Sequence, residues 1–160
     1  MASSEVIACT QALVEKKWTI AFIESASAGK MCYEFSTVPG SGKILMGGVV
    51  CYDICFKENI LEIPHGLIEV FTPESAEVTK AMAINFCKFS VADVCVALTG
   101  LTTSGGSETP EKPVGTIFIH IIFPHTTLSQ RILLDGSPQE IVKKAINTVA
   151  TLILNEINNL

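Results

Sequence analysis

The chain is predicted to fold as a three-layer α/β/α sandwich with a mixed, mostly parallel sheet and a late hairpin. Three features of the sequence lead there. The apolar runs Thr19–Ile23, Ile44–Tyr52 and Val94–Leu98 show no polar alternation, as expected of strands covered on both faces. Capped helical patterns separate those runs, which is how parallel strands are connected. Finally, Val114–Phe123 and Leu128–Leu134 follow one another across Pro124-His125 with no helix between them, so they pair as a hairpin.

The elements follow in order. Ser3 or Ser4 caps a helix over Glu5–Lys16, with Val6, Ile7, Leu13 and Val14 on its apolar face. After the first strand, the small residues Glu24-Ser25-Ala26-Ser27-Ala28-Gly29 lead into a helix from Lys30 to Phe35, which Val38-Pro39-Gly40-Ser41-Gly42 stops. The second strand contains Gly47-Gly48 and is followed by a short helix, Lys57–Leu61, and a turn at Pro64–Gly66. Thr72 is expected to cap the next helix, with Pro73 at its first position and Glu74 in its first turn, reaching Phe89. Asp135-Gly136-Ser137-Pro138 opens the last helix, from Gln139 to Ile157.

Composition narrows the function. At 160 residues the chain is read as one domain, 1–160, and with 48% hydrophobic and 17% charged residues it is too apolar to be disordered. No apolar run approaches the roughly 18 residues of a membrane span. The start, Met1-Ala2-Ser3-Ser4-Glu5, lacks the basic and apolar blocks of a secretory signal. A net charge of −5, with 11 Lys and Arg widely spread, gives no surface for neutralising phosphates, so nucleic acid is not an expected partner. The six cysteines form no Cys-x2-Cys pair, and three histidines are scattered, so no metal is expected. Buried, reduced thiols in a cytoplasmic protein are the expectation. Pro39-Gly40-Ser41-Gly42-Lys43 is not a P-loop, because Thr37 and Ile44 stand where that motif needs a glycine and a hydroxyl.

Two segments carry candidate chemistry. Ser25 and Ser27 lie where a buried strand hands over to a helix, the place at which open α/β sheets bind ligands. A serine beside free N–H groups has the parts of a nucleophile and an oxyanion hole, although from this segment alone both serines read as simple caps. The Gly/Ser/Thr-rich stretch Thr99–Ser107 and the following Thr109-Pro110-Glu111-Lys112-Pro113-Val114-Gly115-Thr116 link two strands by a polar loop suited to surround a ligand. Lys57, taken alone, reads as a solvated lysine, since a basic role requires its pKa to fall from about 10.4.

In order along the chain, several stretches resemble the CinA C-terminal domain family. They are Glu24-Ser25 with Gly29, Val38-Pro39-Gly40-Ser41, Gly47-Gly48-Val49-Val50 with Tyr52, Lys57 and Pro64, then Ser75 with Glu77-Val78, Thr99-Gly100, Gly105-Gly106 and Thr109–Thr116. Stand-alone members of that family are nicotinamide-nucleotide amidases of the PncC type. The resemblance implies hydrolysis of nicotinamide mononucleotide to nicotinic acid mononucleotide and ammonia without a cofactor. By position it implies Ser25 as nucleophile, Lys57 as base, Tyr52 as an aid to the proton transfer and Thr99 in the pocket. Ser27, Ala28, Gly29, Gly48, Gly100, Ser104, Gly105, Gly106, Thr109 and Lys112 would then contact the nucleotide. A homo-oligomer, dimer or larger, is implied too, with the terminal helices as contact faces.

The chain departs from the family pattern at Ala28, where a glycine is usual, and at Ile54, where an asparagine is. Thr72-Pro73-Glu74 brings a carboxylate toward the site, and Ser137-Pro138-Gln139 replaces arginines at the start of the last helix. Two functions therefore stand side by side: the amidase, and a catalytically weak or inactive nucleotide-binding module on the same scaffold. A chiefly structural subunit is a third.

Overall fold

The computed structural model describes residues 1–160. Its sheet has five strands, β1 (Ile20–Glu24), β2 (Leu45–Val50), β3 (Val94–Gly100), β4 (Thr116–Ile122) and β5 (Thr127–Leu133), in the order β2-β1-β3-β4-β5. β1 pairs in parallel with β2 and β3, while β4 is antiparallel to β3 and β5. Only β4 therefore runs against the other strands, and the sheet is mixed, as the sequence predicts.

Alternation along each central strand divides the core into two layers. Ile20, Phe22, Val94, Val96, Leu98, Ile117 and Ile119 pack toward α1 (Ser4–Lys16), α2 (Lys30–Ser36) and α6 (Pro138–Asn158). Ala21, Ile23, Cys95 and Ala97 pack toward α3 (Ile54–Leu61), α4 (His65–Phe71) and α5 (Ala76–Ser90). Phe22 and Phe35 meet with ring centroids 4.9 Å apart, and burying each such side chain is worth about 1.5–3 kcal/mol. The apolar faces of α1 and α6 are consumed in this first layer, Leu13 and Ile153 being fully buried. Little of those faces is left at the surface. Exposed apolar side chains lie instead around α3 and α4, including Ile54, Phe56 and Val70.

Several expected boundaries move for local reasons. Asp53 accepts a hydrogen bond from the Cys55 N–H at 2.8 Å, so α3 begins at Ile54 and Lys57 lies inside it. The expected turn at Pro64–Gly66 is the start of α4, with Pro64 as its N-cap. Ser75, not Thr72, caps α5, its hydroxyl accepting from the Val78 N–H; Thr72 has φ 69° and cannot enter a helix. β2 is an edge strand with alternating exposure rather than a strand buried on both faces. Cys87, near the end of α5, and Cys95 in β3 lie 6.2 Å apart at Cα and are joined as a disulfide, so only four cysteines are free. No helix is long and apolar enough to cross a membrane.

Candidate active site

The sheet changes winding direction between β1 and β3. The chain leaves β1 through α2 to reach β2 on one side, and returns through α3, α4 and α5 to β3 on the other. At such a switch the connections diverge and leave a crevice outside the carboxyl ends of the strands. Here that crevice is a cavity of about 240 Å³, lined by Ser25, Ala26, Tyr52, Glu74 and the segment 100–106.

Ser25 directly follows β1, and its N–H donates to the Leu98 carbonyl at 3.0 Å, an extension of the β1–β3 pairing. The turn that follows is held by Glu24. Its buried carboxylate accepts the N–H groups of Gly29 (2.9 Å), Met31 (3.0 Å) and Cys32 (2.7 Å), closing the N-terminus of α2. Alternation sends Glu24 to the α2 face and Ser25 to the α3 face. Ala28 sits at φ 49° and Gly29 at φ 92°. The methyl group at Ala28 therefore occupies a left-handed backbone position, which is costly for any residue other than glycine. The N–H groups of Ala26 and Ser27 make no hydrogen bond, which leaves two backbone donors beside the serine.

Lys57 reaches Ser25 from α3. The lysine is completely buried, and its Nζ lies 3.1 Å from Ser25 Oγ, 2.7 Å from the Cys51 carbonyl oxygen and 3.1 Å from the Tyr52 carbonyl oxygen. It is not a solvated lysine. Burial pushes its pKa below the usual lysine value, while the charge of Glu74 and smaller effects from Cys51 and Asp53 oppose that shift. The three contacts bear on protonation. As an ammonium the group donates to all three partners; as a neutral amine it gives its two hydrogens to the carbonyls, which only accept, and turns its lone pair toward the Ser25 hydroxyl.

The remaining candidates divide. Gly100, Ser104, Gly105 and Gly106 line the cavity beside Ser25. Gly100 permits the close packing of β3 on β4, since a Cβ there would lie 2.7 Å from the Thr116 carbonyl oxygen. Ser27 and Ala28 line an adjoining groove that shares Ala26, Tyr52 and Thr102 with the cavity and reaches Pro138 and Gln139. The buried Ser27 Oγ has no hydrogen-bond partner. Tyr52 contributes its carbonyl to Lys57, but its side chain is exposed at the rim and makes no hydrogen bond to Ser25 or Lys57. Thr99 is buried, its hydroxyl 2.8 Å from that of Thr79, which donates to the Ser75 carbonyl. It braces β3 on α5 rather than lining the cavity.

Three candidates stand elsewhere. Gly48 lies on β2 and borders a separate depression with Ala21, Met46 and Phe86. Thr109 pairs with Lys112 across a short turn. The Lys112 ammonium donates to Thr72 Oγ1 (2.5 Å), the Glu74 carbonyl (2.9 Å) and Ser107 Oγ (2.8 Å), so it ties the loop to the turn ahead of α5. Sequence reasoning also misses two carboxylates. One is Glu24 as the cap of α2. The other is Glu108, which accepts the Gly105 N–H at 2.7 Å and the Gly106 N–H at 2.8 Å and so occupies donors expected to face a ligand. Its place just after Gly105-Gly106 is the signal available for it.

Residues 4–157 match the model of the CinA C-terminal domain. The chain belongs to that family. It is 37% identical over 131 residues to a CinA-like protein of Desulfotalea psychrophila, covering 82% of this chain and 32% of that protein. A CinA-like protein of Leptospira biflexa is 36% identical over 147 residues, covering 91% and 35%. The chain thus spans about a third of the length of these curated relatives. A solved CinA superfamily protein from Klebsiella pneumoniae superposes with a TM-score of 0.91 at 19% identity, covering 98% of this chain and 97% of that one. The competence/damage inducible protein of Agrobacterium tumefaciens gives 0.88 at 21%, covering 99% and 98%. Both show that the fold is that of CinA superfamily structures.

Proposed function

We propose that this CinA domain is an amidohydrolase in which Ser25 is the nucleophile and Lys57 the base, acting on a pyridine carboxamide. Nicotinamide mononucleotide is the substrate that the family resemblance implies. The observation that carries the reading is the 3.1 Å contact between Lys57 Nζ and Ser25 Oγ, with both residues buried and the other partners of the amine restricted to acceptors.

Neutral Lys57 takes the hydroxyl proton as Ser25 Oγ bonds to the amide carbon. The Ala26 and Ser27 N–H groups stabilise the oxygen that becomes negative. Lys57 then returns the proton to the leaving nitrogen, the C–N bond breaks, and ammonia departs from an acyl-serine. Water cleaves the ester with Lys57 again moving the proton, which releases the carboxylic acid and restores the hydroxyl. The test is ammonia release from nicotinamide mononucleotide and from nicotinamide riboside, with Ser25→Ala and Lys57→Met as controls. Equal, background-level release from all three proteins would reject the reading.

One observation favours binding without turnover: the methyl group at Ala28 strains the turn after Ser25. Calorimetry with the nucleotide separates the two functions, since tight binding with no ammonia belongs to the second.

A further inference from the structure

We infer that this cavity takes a carboxamide whose carrier is cationic or uncharged, and that it disfavours a phosphate on that carrier. The inference rests on the amidase reading and narrows its substrate class. Glu74 is the one charged side chain in the cavity lining. Its Oε2 accepts from Ser107 Oγ at 2.5 Å, which fixes the carboxylate beside the loop.

The cations and the loop donors that could balance a phosphate are engaged elsewhere. Lys112 has its ammonium in three internal hydrogen bonds. Lys57 is buried beneath Ser25. The backbone donors of Gly105 and Gly106 point at the Glu108 carboxylate, so the loop's anion nest already holds the protein's own anion. In the adjoining groove the half-exposed Lys30 stands outside the cavity lining, with its charge offset by Glu34 at 3.8 Å. The N-terminus of α6 is closed by its own capping box, in which Glu140 accepts the Ser137 N–H, and Pro138 has no N–H to offer.

A phosphate carries a charge of about −1.5 to −2 at neutral pH. In this cavity it would meet Glu74 and compete with Glu108 without gaining a cation. A pyridinium ring bearing the amide has the opposite balance, because Glu74 attracts it. Charge complementarity therefore selects the nucleoside over the nucleotide.

The experiment compares nicotinamide mononucleotide with nicotinamide riboside, which has the same amide and the same ring cation but no phosphate. By ammonia release, kcat/KM is expected to favour the riboside by about tenfold or more. Glu74→Gln is expected to shrink that preference. Glu108→Ala, which frees both N–H groups, is expected to improve the nucleotide alone. A wild-type preference for the nucleotide, or none, overturns the inference. Should neither compound release ammonia above Ser25→Ala, the amidase reading fails and calorimetric affinities decide the charge question. Tighter riboside binding then supports the inference, while tighter or equal nucleotide binding, or no riboside binding, overturns it.

Discussion

Glu24 Oε1 accepts the backbone N–H of Cys32 at 2.7 Å, tying the end of the first strand to the first turn of the helix that follows the candidate nucleophile. With the Gly29 and Met31 bonds to the other oxygen, one buried side chain closes the loop that presents Ser25. Serine and lysine meet only if that loop is fixed, because Ser25 sits on it and Lys57 comes from a helix on the opposite face.

Glu24→Ala should therefore cost stability and activity together. Three charge-assisted bonds vanish and three N–H groups lose their partner in a buried place, a loss of about 3 kcal/mol or more. Glu24→Gln keeps the shape but exchanges one acceptor for a donor facing an N–H, and should fall between the two. Urea denaturation and ammonia release read both effects; an alanine variant as stable as wild type would remove Glu24 from its structural role.

Much of this was legible in the sequence. Unalternating apolar runs marked β1 and β3 as central strands, because burial on both faces removes the need for polar positions. The same rule misread β2, whose Gly-Gly-Val-Val run is apolar although it lies at an edge. Helix starts were missed where the cap is not announced by composition alone: Asp53 and Ser75 are ordinary polar residues until their N–H partners are seen. Ser25 is visible as a candidate from its place after a buried strand, whereas Lys57 is reached only through the family resemblance, since a lysine in isolation reveals nothing about burial. Glu108 escapes the sequence reading, and Lys112 is expected there to contact a ligand, because both side chains turn to partners within the protein where sequence suggests exposure to a ligand.

The pH profile tests the state of Lys57. A base must be neutral, and burial lowers the pKa of this lysine, so kcat/KM should rise with pH through an apparent pKa below the usual lysine value of about 10.4. The charge of Glu74 works the other way, favouring the protonated amine. Glu74→Gln should consequently move the rising limb to lower pH. A limb at the ordinary lysine position, or one indifferent to Glu74, would count against Lys57 as the base.

Ala28 offers a gain. A left-handed conformation costs a residue with a Cβ about 1–2 kcal/mol, and glycine gives back about 0.5–1 kcal/mol through its freer unfolded chain. With φ at 49°, Ala28→Gly should raise stability by roughly 0.5 kcal/mol, seen as a higher urea midpoint at constant slope. A lower midpoint would mean that the methyl group contributes packing that outweighs the strain.

Lys112 links two segments that the sequence keeps 40 positions apart, its ammonium meeting Thr72 Oγ1 while Thr72 holds φ 69°, an unfavourable conformation for a β-branched residue. That strain persists because the surrounding bonds over-determine the turn, and the turn carries Glu74 into the cavity. Lys112→Met keeps the aliphatic stem and removes all three donations, leaving Ser107 and the Glu74 carbonyl without this partner. Stability should fall by about 1–3 kcal/mol, and KM should rise more than kcat falls, because the substrate wall loosens while Ser25 and Lys57 stay in register. Lys112→Arg should not restore it, since a planar fork cannot reach three acceptors arranged around a point. A double-mutant cycle with Thr72→Ala should show coupling of roughly 0.5 kcal/mol or more between the two residues; simple additivity would mean that Lys112 does not hold Thr72 in its strained turn.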